Sequence, residues 1–218
     1  MMGIYHQNGL VKGGNATTAY AFFQRAANMG SPSAQTFLGY KMAGLHDDPT
    51  GEFWGNLPIG TKMLECALAQ GYGDAAEKLG FIYSRPGTAE AKLQALKVLQ
   101  DGVRLGSAEC ANDLFTEFDG FNLNNGRNLV GHIDKARAER YSKIGDALEF
   151  YRGRLKLPNL DKVLPLPPAP LPKWDGDEDT LINAAKAVAP PPEPPRSSQL
   201  LPQSPQRDTF LRLMTNAG

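Results

Sequence analysis

Between residues 16 and 118 the hydrophobic positions fall at spacings of three and four, the period of a helix that buries one face. They do so three times in the same order. The first copy runs Ala19, Phe22, Phe23, Ala26, Ala27, Gly30, Ala34, Leu38, Gly39. The second runs Gly60, Met63, Leu64, Ala67, Leu68, Gly71, Ala75, Leu79, Gly80, and the third Ala95, Val98, Leu99, Gly102, Val103, Gly106, Cys110, Leu114, Phe115. In each copy an aligned glycine (Gly30, Gly71, Gly106) ends a first helix, where glycine takes the left-handed cap conformation. Ser31-Pro32 then opens a second helix as cap and first-turn proline. Small residues at Ala26, Ala67 and Gly102 and at Ala34, Ala75 and Cys110 let the two helices approach closely. Leu38, Leu79 and Leu114 fill the groove between them. The pattern predicts helical hairpins near 16–44, 58–84 and 90–118. One hairpin cannot cover its own apolar face, so neighbours are expected to stack.

After residue 119 the pattern changes. Residues 120–131 are rich in Gly and Asn and read as a loop. Asp134 then caps a helix whose apolar face is Tyr141, Ile144, Leu148, Tyr151 and Leu155. Its opposite face carries Lys135, Arg137, Glu139, Arg140, Lys143, Asp146, Glu149 and Arg152, a mixed-sign run that reads as solvated. Proline marks the rest: Pro32, Pro49, Pro58 and Pro86 are followed by none until Pro158, after which the remainder of the 17 crowd together. The segment from Leu157 to Gly176 is expected to be extended, largely polyproline II. Pro165-x-x-Pro168 and Pro167-x-x-Pro170 fit a P-x-x-P ligand pattern. The interleaved Val163, Leu164, Leu166, Leu171 and Trp174 instead predict packing back onto the helices, with Trp174 substantially buried. Residues 189–205 read as a linker, and Phe210-Leu211-x-Leu213-Met214 as a last helical turn. The organisation read from the sequence is a hairpin stack over 1–119, a loop and helix over 120–157, and a proline-rich extended tail over 158–218 that packs on the stack.

The repeated pattern, Ala-x2-aromatic pair-x2-Ala-Ala-x2-Gly-x3-Ala-x3-Leu-Gly in its first copy, resembles the Sel-one-like repeats, a tetratricopeptide-type hairpin family. The second copy departs from it at Gly60 and Leu68, and the third at Phe115. Residues 2–11 look like the tail of an earlier repeat. The sequence thus begins inside a hairpin, and an upstream segment with an export signal is expected to precede it. The resemblance implies an all-α superhelical solenoid. Further on, Arg140-Tyr141-x-x-Ile144-Gly145-Asp146, with Leu164-Pro165-Leu166-Pro167-Pro168 and Leu171-Pro172-x-Trp174-Asp175-Gly176, resembles an uncharacterised domain. In bacterial proteins that domain follows Sel-one-like repeats; here it covers about residues 130 to 200.

Composition narrows the function. Lys plus Arg and Asp plus Glu are 23 each, a formal net charge of zero, whereas nucleic-acid binders carry a basic excess for phosphate contacts. No apolar run approaches the roughly 20 residues of a bilayer span. With only Cys66 and Cys110, a disulfide scaffold and a cysteine-based zinc site are excluded. Gly55-x-x-x-x-Gly60-Thr61-Lys62 nearly spells a phosphate loop, but the lysine and hydroxyl residue are transposed and no strand precedes them. His46-Asp47-Asp48 lacks a second ligand cluster and reads as a loop; His6 and His132 stand alone. Cys110 fills a core slot, and Cys66 aligns with Arg25 and Asp101 and is expected to be exposed. No nucleophile elbow is present. The expectation is a non-catalytic chain with no cofactor and no metal.

What remains is a surface. Stacked first helices usually line the concave side of such solenoids, where partners bind. Opposite the packing stripe they carry Gln24, Arg25 and Asn28, then Lys62 and Glu65, then Lys97, Gln100 and Asp101, the candidate partner-binding residues. The resemblance makes the partner more specific. Bacterial Sel-one-like proteins with this C-terminal domain are similar to immunity proteins encoded beside type VI secretion effectors, in particular phospholipase D-type lipases. It implies a protein that binds the sibling toxin, blocks its active site and acts in the periplasm. The alternative is a generic scaffold for a signalling or envelope complex, with a cytoplasmic location open.

Overall fold

The structure, a computed structural model, describes residues 2–44 and 55–186. By contacts the chain divides into Met1–Ala187 and Val188–Gly218. The second unit, with the expected linker and the Phe210–Met214 turn, lies outside the described residues, as does His46-Asp47-Asp48. Among the described residues the chain is all-helical: α1 (Met2–Gln7), α2 (Ala16–Asn28), α3 (Pro32–Gly44), α4 (Leu57–Ala69), α5 (Asp74–Ser84), α6 (Ala89–Arg104), α7 (Ala108–Asp119), α8 (Lys135–Phe150), α9 (Leu160–Val163) and α10 (Glu178–Ala185), with one 3-10 turn at Leu123–Asn125.

The predicted hairpins are α2–α3, α4–α5 and α6–α7. Each first helix starts on a side chain that accepts a backbone N–H: Asn15 from Thr18, Asn56 from Ile59, Thr88 from Ala91. Each first helix also ends in one way. Gly30, Gly71 and Gly106 have φ of +86°, +82° and +91°. There the glycine N–H reaches back to Ala27, Leu68 or Val103, and the next N–H to Ala26, Ala67 or Gly102. This pair of bonds satisfies carbonyls that would otherwise be left open at the helix end, and it needs a residue at positive φ. The repeat seen in the sequence is therefore a repeat of caps.

From α1 to α8 the helices pack on their neighbours in chain order, α10 packs on α9 and α8, and the second helices α3, α5 and α7 also touch in sequence. Close approach follows from missing side chains. Gly60 of α4 faces Gly39 of α3, and a methyl on Gly60 would lie 2.5 Å from the Gly39 carbonyl oxygen. Gly55–Lys62 is thus no phosphate loop: Gly60 sits inside a helix at a helix–helix contact. A methyl on Gly102 would likewise collide with Cys110 and Ala76. Leu64, Leu79, Leu114, Phe118, Tyr141 and Ile144 are fully buried in one core that extends to Leu157, Leu160, Leu164 and Ala185. A smaller cluster of Ala27, Ala34 and Leu38 packs with Tyr20, Phe23, Phe37 and Met63.

The Gly/Asn-rich stretch is an ordered loop organised by Asn128, which is buried. Its Nδ2 donates to the Glu117 and Phe121 carbonyls, each at 2.8 Å. Its Oδ1 accepts from the Val130 and Gly131 N–H groups at 2.9 and 2.7 Å. The helix after it starts on Asp134, as predicted, but stops at Phe150. Tyr151, expected on the apolar face, is the C-cap and is 46 % exposed. The proline-rich segment is not one polyproline stretch. It begins with the turn of α9, bends again at Pro167-Pro168, and gives way to α10, capped by Asp177 and anchored by Leu181, Ile182 and Ala185.

Two stability predictions follow from this core. Leu79→Asp is expected to unfold the chain, because a buried carboxylate without a partner costs several kcal/mol or more; an unchanged melting temperature would refute the packing. The second concerns Asp113 on α7, which burial pushes up to about 6, with Glu77 and Glu117 adding to the shift and Lys78 opposing it. The folded value lies above the ordinary carboxylate value near 4. The contribution from this group is therefore present at low pH and lost as pH rises through about 6. Asp113→Asn is expected to raise the melting temperature at pH 7 and to flatten its fall between about pH 4 and 7; an unchanged slope would refute the assignment.

Candidate partner-binding face

The residues proposed for a partner site fall into three groups. Gln24, Arg25 and Asn28 are exposed on α2, where Gln24 Nε2 donates to Asn28 Oδ1 at 2.9 Å. Lys62, Glu65 and Lys97 are exposed on α4 and α6, and Asp101 is half-buried. Glu65 accepts from the Tyr83 hydroxyl at 2.8 Å, and Asp101 from Arg104 at 2.8 Å. Burial pushes the Asp101 carboxyl up; Arg104 pulls it back, and Asp161 adds to the rise. The structure brings Glu65 and Asp101 together on one cavity, and Lys97 and Asp101 on the next. Gln24, Arg25, Asn28 and Lys62 line neither.

Gln100 is not a surface residue. It is 1 % exposed, covered by residues 157–174, which run back across α6 and α8 and are called the arm below. Its Nε2 donates to the Leu164 carbonyl at 2.8 Å and to Asp161 Oδ1 at 3.1 Å, and its Oε1 accepts from the Tyr141 hydroxyl at 2.5 Å. Periodicity places Gln100 on the polar face of α6 correctly; what covers that face comes from sixty residues further along the chain.

Arg137 and Arg140 depart from the sequence reading for the same reason. Both were expected on a solvated face of α8, and they are 7 % and 5 % exposed. Arg137 Nε donates to the Pro165 carbonyl at 3.0 Å, a terminal nitrogen reaches the Ala169 carbonyl, and the other pairs with Asp134. Arg140 donates to the Val163 carbonyl at 2.6 Å and to the Pro172 carbonyl at 2.5 Å. Its guanidinium lies 5.3 Å from the Trp174 ring centroid, a cation–π contact. Burial, with Arg137 alongside, pushes Arg140 below its ordinary value. Burial raises Asp134, but the Arg137 N–H and guanidinium outweigh it and hold the carboxyl low.

The arm is clasped from its other side by α6. Arg104 pairs with Asp161 at 2.5 Å, and the Leu157 N–H donates to the Arg104 carbonyl at 2.9 Å. Trp174 is half-buried, with Nε1 donating to the Asp177 carbonyl at 2.8 Å. The carbonyls of Val163, Leu164, Pro165, Ala169 and Pro172 are all taken and the chain bends at Pro167-Pro168, so the P-x-x-P pattern is not a straight polyproline ligand, although Pro168 and Pro170 stay exposed.

Next to the arm the same face is open. Leu68 and Ala69 of α4, Leu79 and Tyr83 of α5, Val98 of α6 and Leu105 at its C-cap bound a cavity of about 380 Å³. Asp101 and Arg104 join it to a second, of about 340 Å³, whose far side is Asp161, Pro165 and Leu166 of the arm. Cys66 is exposed and Cys110 buried, as expected; burial pushes the Cys110 thiol up, opposite to what a nucleophile needs. Among the described residues no group of three His, Cys, Asp or Glu could hold a metal, and no helix is long and apolar enough to cross a membrane.

Arg140→Leu is expected to loosen the arm. Hydrogen bonds to a charged group contribute about 1.5–3 kcal/mol, so the melting temperature should fall by roughly 5 °C and trypsin should cut faster after Lys162 and Lys173. Arg152→Leu, in the exposed turn just after α8, should leave both unchanged. Equal proteolysis of the two variants would refute the clasp.

Residues 110–208 match the model of a domain of unknown function, DUF6396. The match takes in most of α7, the Asn128 loop, α8 and the arm. No curated protein and no solved structure matches the chain.

Proposed function

We propose that this chain is a non-catalytic protein-binding module whose hairpins stack as a solenoid of the Sel-one-like, tetratricopeptide type. Its partner is a phospholipase D-type lipase effector of type VI secretion, which it inhibits as an immunity protein in the periplasm. The observation that carries the binding reading is the first-helix face itself. On that face Gln100 and Arg104 of α6 hold one side of an irregular stretch of the chain, whose carbonyls are otherwise taken by Arg137 and Arg140 of α8, and an apolar cavity, a channel between α4 and α6, lies open beside it. The lipase and the periplasm rest on the resemblance of the repeat and of the Arg140–Asp146 and Leu164–Gly176 motifs.

Neutralising a toxin requires slow dissociation, and that comes from a large, well-packed interface, on the order of 800 Å² per partner, more than from one charge patch. With a net charge of zero, complementarity is local and association should depend only moderately on salt. The test is co-purification with the product of the adjacent gene, followed by a lipase assay with and without this protein. The expected result is a stable complex and loss of lipase activity at one equivalent. A neighbouring lipase that stays fully active in saturating excess of this protein would overturn the immunity reading.

A further inference from the structure

We propose that a different cavity, between the end of the arm and α10, binds a small organic monocarboxylate that carries an apolar group. Such a site goes beyond the partner-binding reading and does not depend on it. The cavity measures about 500 Å³, and Arg140 of α8 lies at its inner side. That guanidinium is the first observation. It is buried and pairs with no carboxylate among the described residues. Its terminal nitrogens donate to the Val163 and Pro172 carbonyls, one ring face of Trp174 lies against it, and Nε is buried without an acceptor. Glu139 and Asp134 act on it only from a distance, and Asp134 is held by Arg137. A buried cation without a counter-charge is costly, and dipoles with one ring offset only part of that cost. Because the charge is buried, water screens it little, and it acts on an anion in the cavity without touching it.

The second observation is the rim. Lys173 lines the cavity, is exposed, and has no ion pair or hydrogen bond to another described residue. The one carboxylate there, Asp175, is committed: its Oδ1 accepts from the Asp177 N–H at 3.0 Å and from the Thr180 hydroxyl at 2.8 Å. The charge left to meet a ligand is therefore positive. Asp175 also sets the ligand's charge, since it repels a dianion such as phosphate more than a monoanion. The third observation is the remaining wall. Val163, Pro172, Trp174 and Ala184 are apolar and reach the surface, so a bare ion would leave them uncovered. An acid whose carboxylate meets Lys173 in the field of Arg140, and whose apolar group lies along Trp174 and Ala184, satisfies both halves. It would also bridge the arm to α10.

The test is calorimetric titration of the full chain with 4-phenylbutyrate, set against 4-phenylbutyramide, acetate and inorganic phosphate over the same range. Lys173→Gln removes the free cation without touching a contact of the arm. Ala184, exposed on α10, lines the cavity, and Ala184→Trp fills it from the rim; Ala184→Leu replaces it should the tryptophan variant fail to fold by circular dichroism. Asn124→Trp, on the exposed turn after α7, is the control. The expected result is saturable binding of one equivalent of 4-phenylbutyrate to the wild type and to Asn124→Trp, with no saturable binding of the other three compounds. Lys173→Gln should weaken it about two- to fivefold, the size of an exposed ion pair, and the filled variant should abolish it. No saturable binding would overturn the proposal. Amide bound as well as acid would overturn it, because the cations would then play no part. Acetate or phosphate bound as well as 4-phenylbutyrate would overturn the apolar half, and binding retained by the filled variant would place the ligand elsewhere. No lipase enters this titration, so its failure and that of the immunity reading are told apart.

Discussion

Gln100 lies between two helices and a stretch of irregular chain. Both of its amide N–H groups donate, to Leu164 and to Asp161, and its oxygen accepts from Tyr141. The Tyr141 ring in turn stacks on Phe118, with centroids 5.4 Å apart. One side chain thus ties α6, α8 and the arm, and through Phe118 it reaches α7. A buried amide without partners costs roughly 1–3 kcal/mol per group, so sliding the arm by one residue would leave Gln100 unsatisfied. The register of the arm is set here, and the position of Asp161, Pro165 and Leu166 beside the open channel follows from it.

The arm's composition explains why arginines hold it. Pro165, Pro167, Pro168, Pro170 and Pro172 have carbonyls but no N–H. Such a segment cannot pair as a strand or continue a helix, and on burial it presents an excess of acceptors. Arginine is its complement, five donors and no acceptor on a planar fork. Arg137 and Arg140 spread those donors over four carbonyls on both sides of the bend. A lysine would offer three donors from one point and could not span the same sites. Burying the two guanidinium groups is costly; carbonyl dipoles, Asp134 under Arg137 and Trp174 under Arg140 offset that cost.

The repeat was legible in the sequence because caps and close contacts use residue types that few others replace. Gly30, Gly71 and Gly106 mark positive φ, and Leu38, Leu79 and Leu114 mark the core. The α8 helix was legible from Asp134 and the spacing of Tyr141, Ile144 and Leu148. The fate of polar residues was not. Periodicity tells which face of a helix is polar, and water or another part of the chain can cover that face equally well. Gln100, Arg137 and Arg140 were misread for this one reason, and Tyr151 because the helix stops a residue before it. A signal did exist: a donor-poor, acceptor-rich segment with interleaved leucines needs donors elsewhere in the chain, and two arginines three apart on an amphipathic helix are where to look. The helix at Glu178–Ala185 was missed since its eight residues present only Leu181, Ile182 and Ala185 as a stripe, too little periodicity after a proline-rich stretch.

The arm divides the first-helix face in two. Over α6 and α8 Gln100, Arg137 and Arg140 donate to the protein's own carbonyls, and Leu160 and Leu164 fill the core. Over α4 and α6 Leu68 and Leu105 are only half-buried, and Glu65 and Asp101, two of the residues picked out by periodicity, stand at the rim. Filling the first half also shapes the second. Arg104 pairs with Asp101 on its own helix and with Asp161 on the arm, so the arm fixes the guanidinium that borders the channel. An arm that loosens would therefore change the channel through Arg104, which would lose one of its two carboxylates, while Pro165 and Leu166 would recede from the neighbouring cavity. The segment that occupies half of this face is, by the same contacts, the structural support of the half left open.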